Sequence, residues 1–337
     1  MNILMVSNTY LPHIGGVALS VSRFSEAYRQ RGHRVLVLAP TFEGMEEEES
    51  DVVRIPAIQN FNGSDFSVRL PIPTSIYSRL SDFQPDIVHS HHPFLLGDSA
   101  LRIASGHNVP LVFTHHTMYE QYTHYAPGDS PEMKEFVIEL GTGYANLANH
   151  VIAPSADVGI ELQRRGVTTP ISVIPTGVVL DDFSSGDGIA FRRRFNISED
   201  AFVVGHVGRL APEKNLRFLS DAVASFLSSH PNAVFVVIGE GPSRESITEK
   251  FAKRGCSDRL FLPGRLTGRS LADGYAAMNV FAFASFTETQ GMVLAEAMAA
   301  GVPVVAVDAP GVNDVVCDGK NGVLLPAQDR GSFVRGL

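Results

Sequence analysis

Apolar positions along this chain alternate between two patterns. Short apolar runs bounded by Gly, Pro or Asp read as buried strands over residues 3–7, 35–38, 52–55, 86–89, 110–113, 150–153 and 171–174. Between them lie segments with apolar residues at helical spacing, among them 17–31 and 157–165. The alternation resumes at 202–208 and continues through 234–238, 260–262, 279–284, 304–307 and 321–325, with a helix expected from 215 to about 227. Strands alternating with helices imply parallel sheets with helices on both faces.

Two successive alternations in 337 residues exceed what one hydrophobic core serves. The Pro175-Thr-Gly177 break, followed by the polar stretch 181–188, reads as a linker between domains at 1–178 and 179–337. Composition is ordinary for a globular protein, with 44% apolar residues and no apolar run long enough to cross a bilayer. Met1 leads straight into the first strand, so a signal peptide is not expected and the reading is cytoplasmic. Cys256 and Cys317 have no metal-ligand spacing and make no disulfide framework. The net charge of −9 is uneven: 11 basic and 18 acidic residues through Val178 give −7, and 16 against 18 thereafter give −2. Neither half carries the basic field of a nucleic-acid binder. The acidic run 46–49 reads as a solvated loop.

Chemistry concentrates where the strand at 279–284 runs through Ser285-Phe-Thr-Glu-Thr-Gln-Gly-Met292 into a helix. Glu288 and Glu296 are eight positions apart, on the order of 12 Å at the helical rise, which matches the reach of a nucleoside diphosphate. Gly291 permits close backbone approach, and the free amides of the first helical turn form an anion site. Solvated glutamates on an exposed helix are the plainer alternative.

Glu288 and Glu296, followed by Ala-Met-Ala-Ala-Gly-Val-Pro, resemble the E-x7-E motif of retaining GT-B-fold glycosyltransferases of the group 1, family 4 type. That family includes bacterial phosphatidylinositol mannosyltransferases and diacylglycerol glucosyltransferases. The resemblance implies two Rossmann-like domains with parallel sheets facing across a cleft, the first on the acceptor side and the second binding a nucleotide sugar. Glu288 would hold hydroxyls of the transferred sugar and Glu296 the ribose, with Gly291, Met292 and Val293 also on the donor. Gly208-Arg-Leu-Ala-Pro-Glu-Lys214 is similar to the family's G-R-L-x-x-x-K, so Arg209 and Lys214 would grip the diphosphate and steady the charge on the leaving group. Arg265, beyond the strand at 260–262, would border the base and ribose, and Gly16 of the first Gly-Gly loop would approach the donor phosphate.

Thr114-His-His-Thr117 resembles the family's Thr-x-His-Thr segment, whose histidine, here His116, touches the transferred sugar. His89, His91, His92, His115 and His116 all lie just beyond two strands. A metal site there is the alternative, but no carboxylate or thiolate recurs at ligand spacing. The family uses no cofactor, and with no Asp-x-Asp pair in sight no metal is expected. Departures from the family pattern are Thr176 where Asn is common, Asn215 where Gly is usual and Gln290 where Phe is common. The family also continues with helices packed on the second domain, which are expected to be missing from a chain ending at Leu337.

The implied reaction moves a sugar, with retention, from a nucleoside-diphosphate sugar to a small-molecule or lipid acceptor such as diacylglycerol. Tyr119, Tyr122 and Tyr125, at helical spacing after His116, suggest an aromatic face for peripheral membrane contact, although a packing stripe explains them equally. Against the membrane stands the −7 of the first half, unless Arg23, Arg29, Arg31 and Arg34 gather into a basic face. A nucleotide-sugar epimerase of the same fold and a non-catalytic nucleotide-sugar-binding protein are the alternatives. A pyridoxal-phosphate phosphorylase would need a cofactor lysine whose signature is not seen.

Overall fold

The computed structural model describes residues 1–13, 15–42, 45, 49–58, 68–69, 74–125 and 129–337, the side chains of 68–69, 74–78 and 125 excepted. The chain divides into two compact units, Met1–Thr176 and Gly177–Leu337.

The first unit runs β1 (Asn2–Val6), α1 (Gly16–Gln30), β2 (Arg34–Pro40), β3 (Val52–Ile55), β4 (Ala57–Ile58), β5 (Val68–Arg69), α2 (Thr74–Phe83), β6 (Ile87–Ser90), α3 (Leu96–His107), β7 (Leu111–Thr114), α4 (Pro131–Leu147), β8 (His150–Ala153), α5 (Ala156–Arg164) and β9 (Ile171–Val173). Seven strands form a parallel sheet in the order β3-β2-β1-β6-β7-β8-β9. Successive residues of a strand face opposite sides. Leu4 and Val6 therefore join the core beneath α3 and α5, while Ile3 and Met5 pack with Val21 of α1 on the other side.

The second unit begins with α6 (Leu180–Ser184) and α7 (Gly188–Arg194), then β10 (Phe202–Val207), α8 (Leu216–Ser229), β11 (Ala233–Ile238), α9 (Arg244–Lys253), β12 (Leu260–Gly264), α10 (Gly268–Ala276), β13 (Val280–Phe283), α11 (Met292–Ala299), β14 (Val304–Val307), β15 (Gly322–Leu325) and α12 (Arg330–Gly336). Its parallel sheet has the order β12-β11-β10-β13-β14-β15. Every residue of β11 is buried, Val234, Val236 and Ile238 on one face and Ala233, Phe235 and Val237 on the other. A near-continuous apolar run is what a strand covered on both faces requires. Pro263 is accommodated because β12 lies at the sheet edge.

The stretch read as a linker, 181–188, is more structured than its polarity suggests. Its first half belongs to the short helix α6 and its last residue starts α7, with Phe183 buried and the Asp187 carboxylate capping α7 through the Ala190 amide. Within the acidic run, Glu46–Glu48 lie outside the described residues, and Glu49 pairs with Arg54.

Candidate active site at the strand ends

In each sheet the strand order reverses beside the first strand, between β1 and β6 and again between β10 and β13. Loops leaving the carboxyl ends of such neighbours diverge to opposite faces and open a crevice where α/β sheets bind ligands.

In the second unit the β10 loop carries Arg209 and Lys214, and the β13 loop carries Glu288. Pairing of Val204 with Val280 and of Gly205 with Phe281 sets the two loops side by side. A 3-10 turn at Pro212–Lys214 ends at Asn215, whose φ of 53° lies in the left-handed region that asparagine tolerates better than most side chains. The turn thus forms without the usual glycine, and Asn215 Nδ2 donates to the Ala284 carbonyl at 3.1 Å.

Lys214 Nζ donates to Glu288 Oε1 at 2.6 Å, with the two side chains 17% and 16% exposed. Burial alone would raise the Glu288 pKa. The Lys214 charge and hydrogen bond, with a further hydrogen bond from Ser285, outweigh that and hold the carboxyl below its usual range. Nearby, His206 packs against the rings of both Phe281 and Phe283, at 6.1 and 5.9 Å. Its Nδ1 donates to the Ala282 carbonyl at 3.1 Å, because a carbonyl can only accept. Nε2 is then a buried acceptor without a protein partner, and burial lowers the pKa to about 4. Sequence reasoning missed His206; the available signal was a histidine inside an apolar strand.

Glu296 is buried in α11 and accepts from Tyr275 Oη at 3.0 Å. Burial and the neighbouring carboxylate push the Tyr275 pKa far up, so the phenol stays a donor. Because α11 starts at Met292, the helical ruler applied to Glu288 and Glu296 holds only from that residue onward. Met292 and Val293 occupy its first turn, where backbone amides have no carbonyl within their own helix. Gly291 has φ 63° and Gly311 φ 72°. A Cβ on Gly291 would lie 2.7 Å from the Gly311 carbonyl oxygen, and one on Gly311 2.8 Å from that of Glu288. The loop bearing Glu288 therefore rests directly on the loop after β14. Arg209 is half-buried just beyond β10, whereas Arg265 is exposed beyond the edge strand β12, with β11 between it and β10.

In the first unit His91 and His92 follow β6, and His115 and His116 follow β7. His89 Nε2 and Thr114 Oγ1 are 2.7 Å apart, the Asn8 amide donates to His92 Nδ1 at 3.1 Å, and His91 Nδ1 meets His116 Nε2 at 2.8 Å. His115 turns away from that pair and packs edge-on against Phe113 and Tyr119. Burial lowers the pKa to about 4 at His89 and His115 and about 3 at His92, and well below the ordinary value at His91 and His116. All five are neutral at pH 7. Among the described residues no group of three or more His, Cys, Asp or Glu is placed to hold a metal ion. Gly16 is the exposed first residue of α1, and a Cβ there would meet nothing within 4 Å, while Ile14 of the same loop lies outside the described residues.

The tyrosine stripe does not form. Residues 119–125 fold into two 3-10 turns, Tyr119–Gln121 and Thr123–Tyr125, which break helical spacing. Tyr119 packs inward at 4.8 Å from the Phe94 ring, Tyr122 sits in the turn, and the Tyr125 side chain lies outside the described residues. Glu120 between them makes a two-pronged ion pair with Arg165 at 2.9 and 3.2 Å, both side chains almost enclosed. The arginines do not make one free basic face either: Arg29 pairs with Asp51 and Arg34 lies over the Phe83 ring.

Residues 14–182 match the family model described as Glycosyltransferase Family 4, and residues 188–337 match that described as Glycosyl transferases group 1. The chain belongs to this glycosyltransferase family. The enzyme is 30% identical over 340 residues to the alpha-monoglucosyldiacylglycerol synthase of Acholeplasma laidlawii, covering 96% of this chain and 85% of that one. It is also 30% identical over 338 residues to the GDP-mannose-dependent alpha-mannosyltransferase of Corynebacterium glutamicum, covering 98% and 78%. Among solved structures, the glycosyltransferase superposes on Anabaena HepE in complex with UDP and glucose with a TM-score of 0.75 at 20% identity, covering 99% and 88% of the two chains. The sucrose-phosphate synthase of Thermosynechococcus elongatus gives 0.80 at 22%, covering 99% and 88%. The two parallel α/β units of this glycosyltransferase are those of the GT-B fold. No helix among the described residues is long and apolar enough to cross a membrane.

Proposed function

We propose that this glycosyltransferase moves a hexose from a UDP- or GDP-sugar, with retention and without a metal ion, to a lipid acceptor of the diacylglycerol type. The observation that carries the acceptor is the near full-length similarity to the alpha-monoglucosyldiacylglycerol synthase of Acholeplasma laidlawii, with that of Streptococcus pneumoniae at 28% over 330 residues beside it. In this reading the second unit holds the donor. Lys214 and Arg209 take the diphosphate, with the first-turn amides of Met292 and Val293 completing the anion site. Glu296, oriented by Tyr275, accepts from the ribose hydroxyls, and Glu288 accepts from hydroxyls of the sugar. His116 gives the sugar a further hydrogen bond.

Positive groups at the diphosphate stabilise the charge that develops as it departs, and a departing phosphate oxygen takes the acceptor proton, so no separate base is required. Peripheral contact with a membrane follows from a lipid acceptor; of the tyrosines that first suggested it, Tyr119 packs inward against the Phe94 ring.

The mannosyltransferase of Corynebacterium glutamicum supports GDP-mannose as the donor in a second reading, and a soluble acceptor is the alternative to the lipid. Radiolabelled UDP-glucose and GDP-mannose, each offered diacylglycerol in vesicles or soluble acceptors, separate the two. Label in the lipid phase is expected. Efficient transfer only to a water-soluble acceptor, with no co-sedimentation on vesicles, overturns the lipid reading. An altered nucleotide sugar formed without any acceptor would instead identify an epimerase.

A further inference from the structure

The pair formed by His91 and His116 has a definite direction. His91 is completely buried, and its Nε2 has no hydrogen-bond partner among the described residues. A neutral imidazole carries one proton. Were it on Nε2, a buried N–H would be left unpaired, which proteins rarely tolerate, whereas an unpaired ring acceptor is less costly. The proton belongs on Nδ1, which lies 2.8 Å from His116 Nε2. His91 donates and His116 Nε2 accepts. Which ring nitrogen of a histidine keeps the proton is set by the bond that the other makes.

We propose that His91 is a positioning residue that locks His116 as the Nδ1–H tautomer, making His116 a hydrogen-bond donor toward the sugar and withdrawing its Nε2 from service as a base. The assignment rests on the reading of His116 as a sugar contact. The surroundings hold the same arrangement. The His91 ring lies 4.2 Å from that of His89, tilted by 31°, and 5.1 Å from that of His116, which it meets at its edge. His89 is in turn tethered to Thr114, at the end of the strand that delivers His116. The His91 ring therefore cannot turn over without disturbing neighbours on both sides. A donor at His116 suits a sugar hydroxyl, which accepts through its oxygen lone pairs. With Nε2 already occupied, deprotonation of the acceptor falls to the phosphate.

Asparagine at position 91 can place its Nδ2–H where His91 Nδ1–H now lies, whereas phenylalanine keeps the ring and loses the donor. His91→Phe is expected to lower kcat at least about tenfold with little change in the KM for donor, and His91→Asn to recover most of that loss. Nitrogen-15 spectra of histidine-labelled enzyme should show His116 protonated on Nδ1 in the wild type and in His91→Asn, and a tautomer mixture in His91→Phe. Equal kcat in the two variants, or His116 protonated on Nε2 in the wild type, overturns the proposal. The spectra need no activity and answer even if His91→Phe folds poorly. Wild-type turnover in His116→Ala would instead refute the sugar contact while leaving the tautomer assignment to stand on the spectra.

Discussion

Lys214 and Glu288 neutralise one another at 2.6 Å, each from a loop at the carboxyl end of one of two adjacent strands. In the proposed function the nucleoside diphosphate and Glu288 would compete for one ammonium. Glu288→Gln removes the negative charge that competes for Lys214 and leaves the sugar hydroxyls a single neutral acceptor oxygen in place of a carboxylate. The variant is expected to bind nucleoside diphosphate at least as tightly as wild type in calorimetry, with kcat lowered by roughly 10²-fold. An unchanged kcat would exclude Glu288 from the chemistry.

Replacing Arg209 and Lys214 together removes the cations themselves. Binding of nucleoside diphosphate should weaken by roughly 10-fold or more, since charge-assisted contacts contribute about 1.5–3 kcal/mol each. Equal calorimetric affinities for wild type and double variant would rule out the diphosphate role.

The buried histidines make stability depend on pH in a direction that can be worked out. His89, His115 and His206 titrate near 4 and His92 near 3 in the fold, against 6.5 when unfolded. The unfolded chain then binds more protons across this window, so their contribution is complete above about pH 6.5 and is lost as pH falls. Each histidine adds a slope of about 1.4 kcal/mol per pH unit between its two values. The depressed Glu288 carboxyl adds a loss of the same sign at lower pH, below its unfolded value of about 4.3. Thermal unfolding should show Tm dropping steeply from pH 6.5 to 4, and less steeply in His206→Phe. A flat profile would contradict the burial of these rings.

Gly311→Ala tests the support beneath Glu288. At φ 72°, with the new Cβ 2.7 Å from the Gln290 nitrogen, the substitution forces the catalytic loop to shift. A cost of about 1–3 kcal/mol is expected, read as a lower Tm, together with reduced kcat. Gly16→Ala, whose Cβ meets no neighbour among the described residues, should leave Tm within a degree or so.

Activity is expected to persist in excess chelator, because in the proposed function Arg209, Lys214 and the α11 amides furnish the positive field at the diphosphate. Activity that disappears with chelator and returns with Mg²⁺ or Mn²⁺ would contradict a metal-independent mechanism.

Much of the fold was legible because both sheets are parallel and covered on two faces. Strands such as β11 and β13 are nearly pure apolar runs, and the glycines, prolines and aspartates that stop them are equally plain. What escaped depends on partners distant in sequence. Spacing alone placed Tyr119, Tyr122 and Tyr125 on one helix face, but the Glu120–Arg165 pair and the Phe94 ring pull that segment into 3-10 turns. The link from Tyr275 to Glu296 and that from His91 to His116 join residues 21 and 25 positions apart. Neither leaves a local signature, because the first exists only once α10 and α11 are packed side by side and the second only once the strand order has brought two loops together. The helices at Leu180–Ser184 and Gly188–Arg194 are too short to establish a period and are held by tertiary packing.

Asn215 carries a consequence for how ready the donor site is before any ligand arrives. A glycine in the same left-handed turn would leave the unfolded chain more conformations to surrender on folding, so asparagine lowers the entropy lost in forming it. Its amide on the Ala284 carbonyl then fastens the turn that presents Lys214 to the strand end from which the Glu288 loop departs. One side chain thereby steadies the interval between the cation and the carboxylate, and in the proposed function the donor would meet a site ordered in folding rather than on binding.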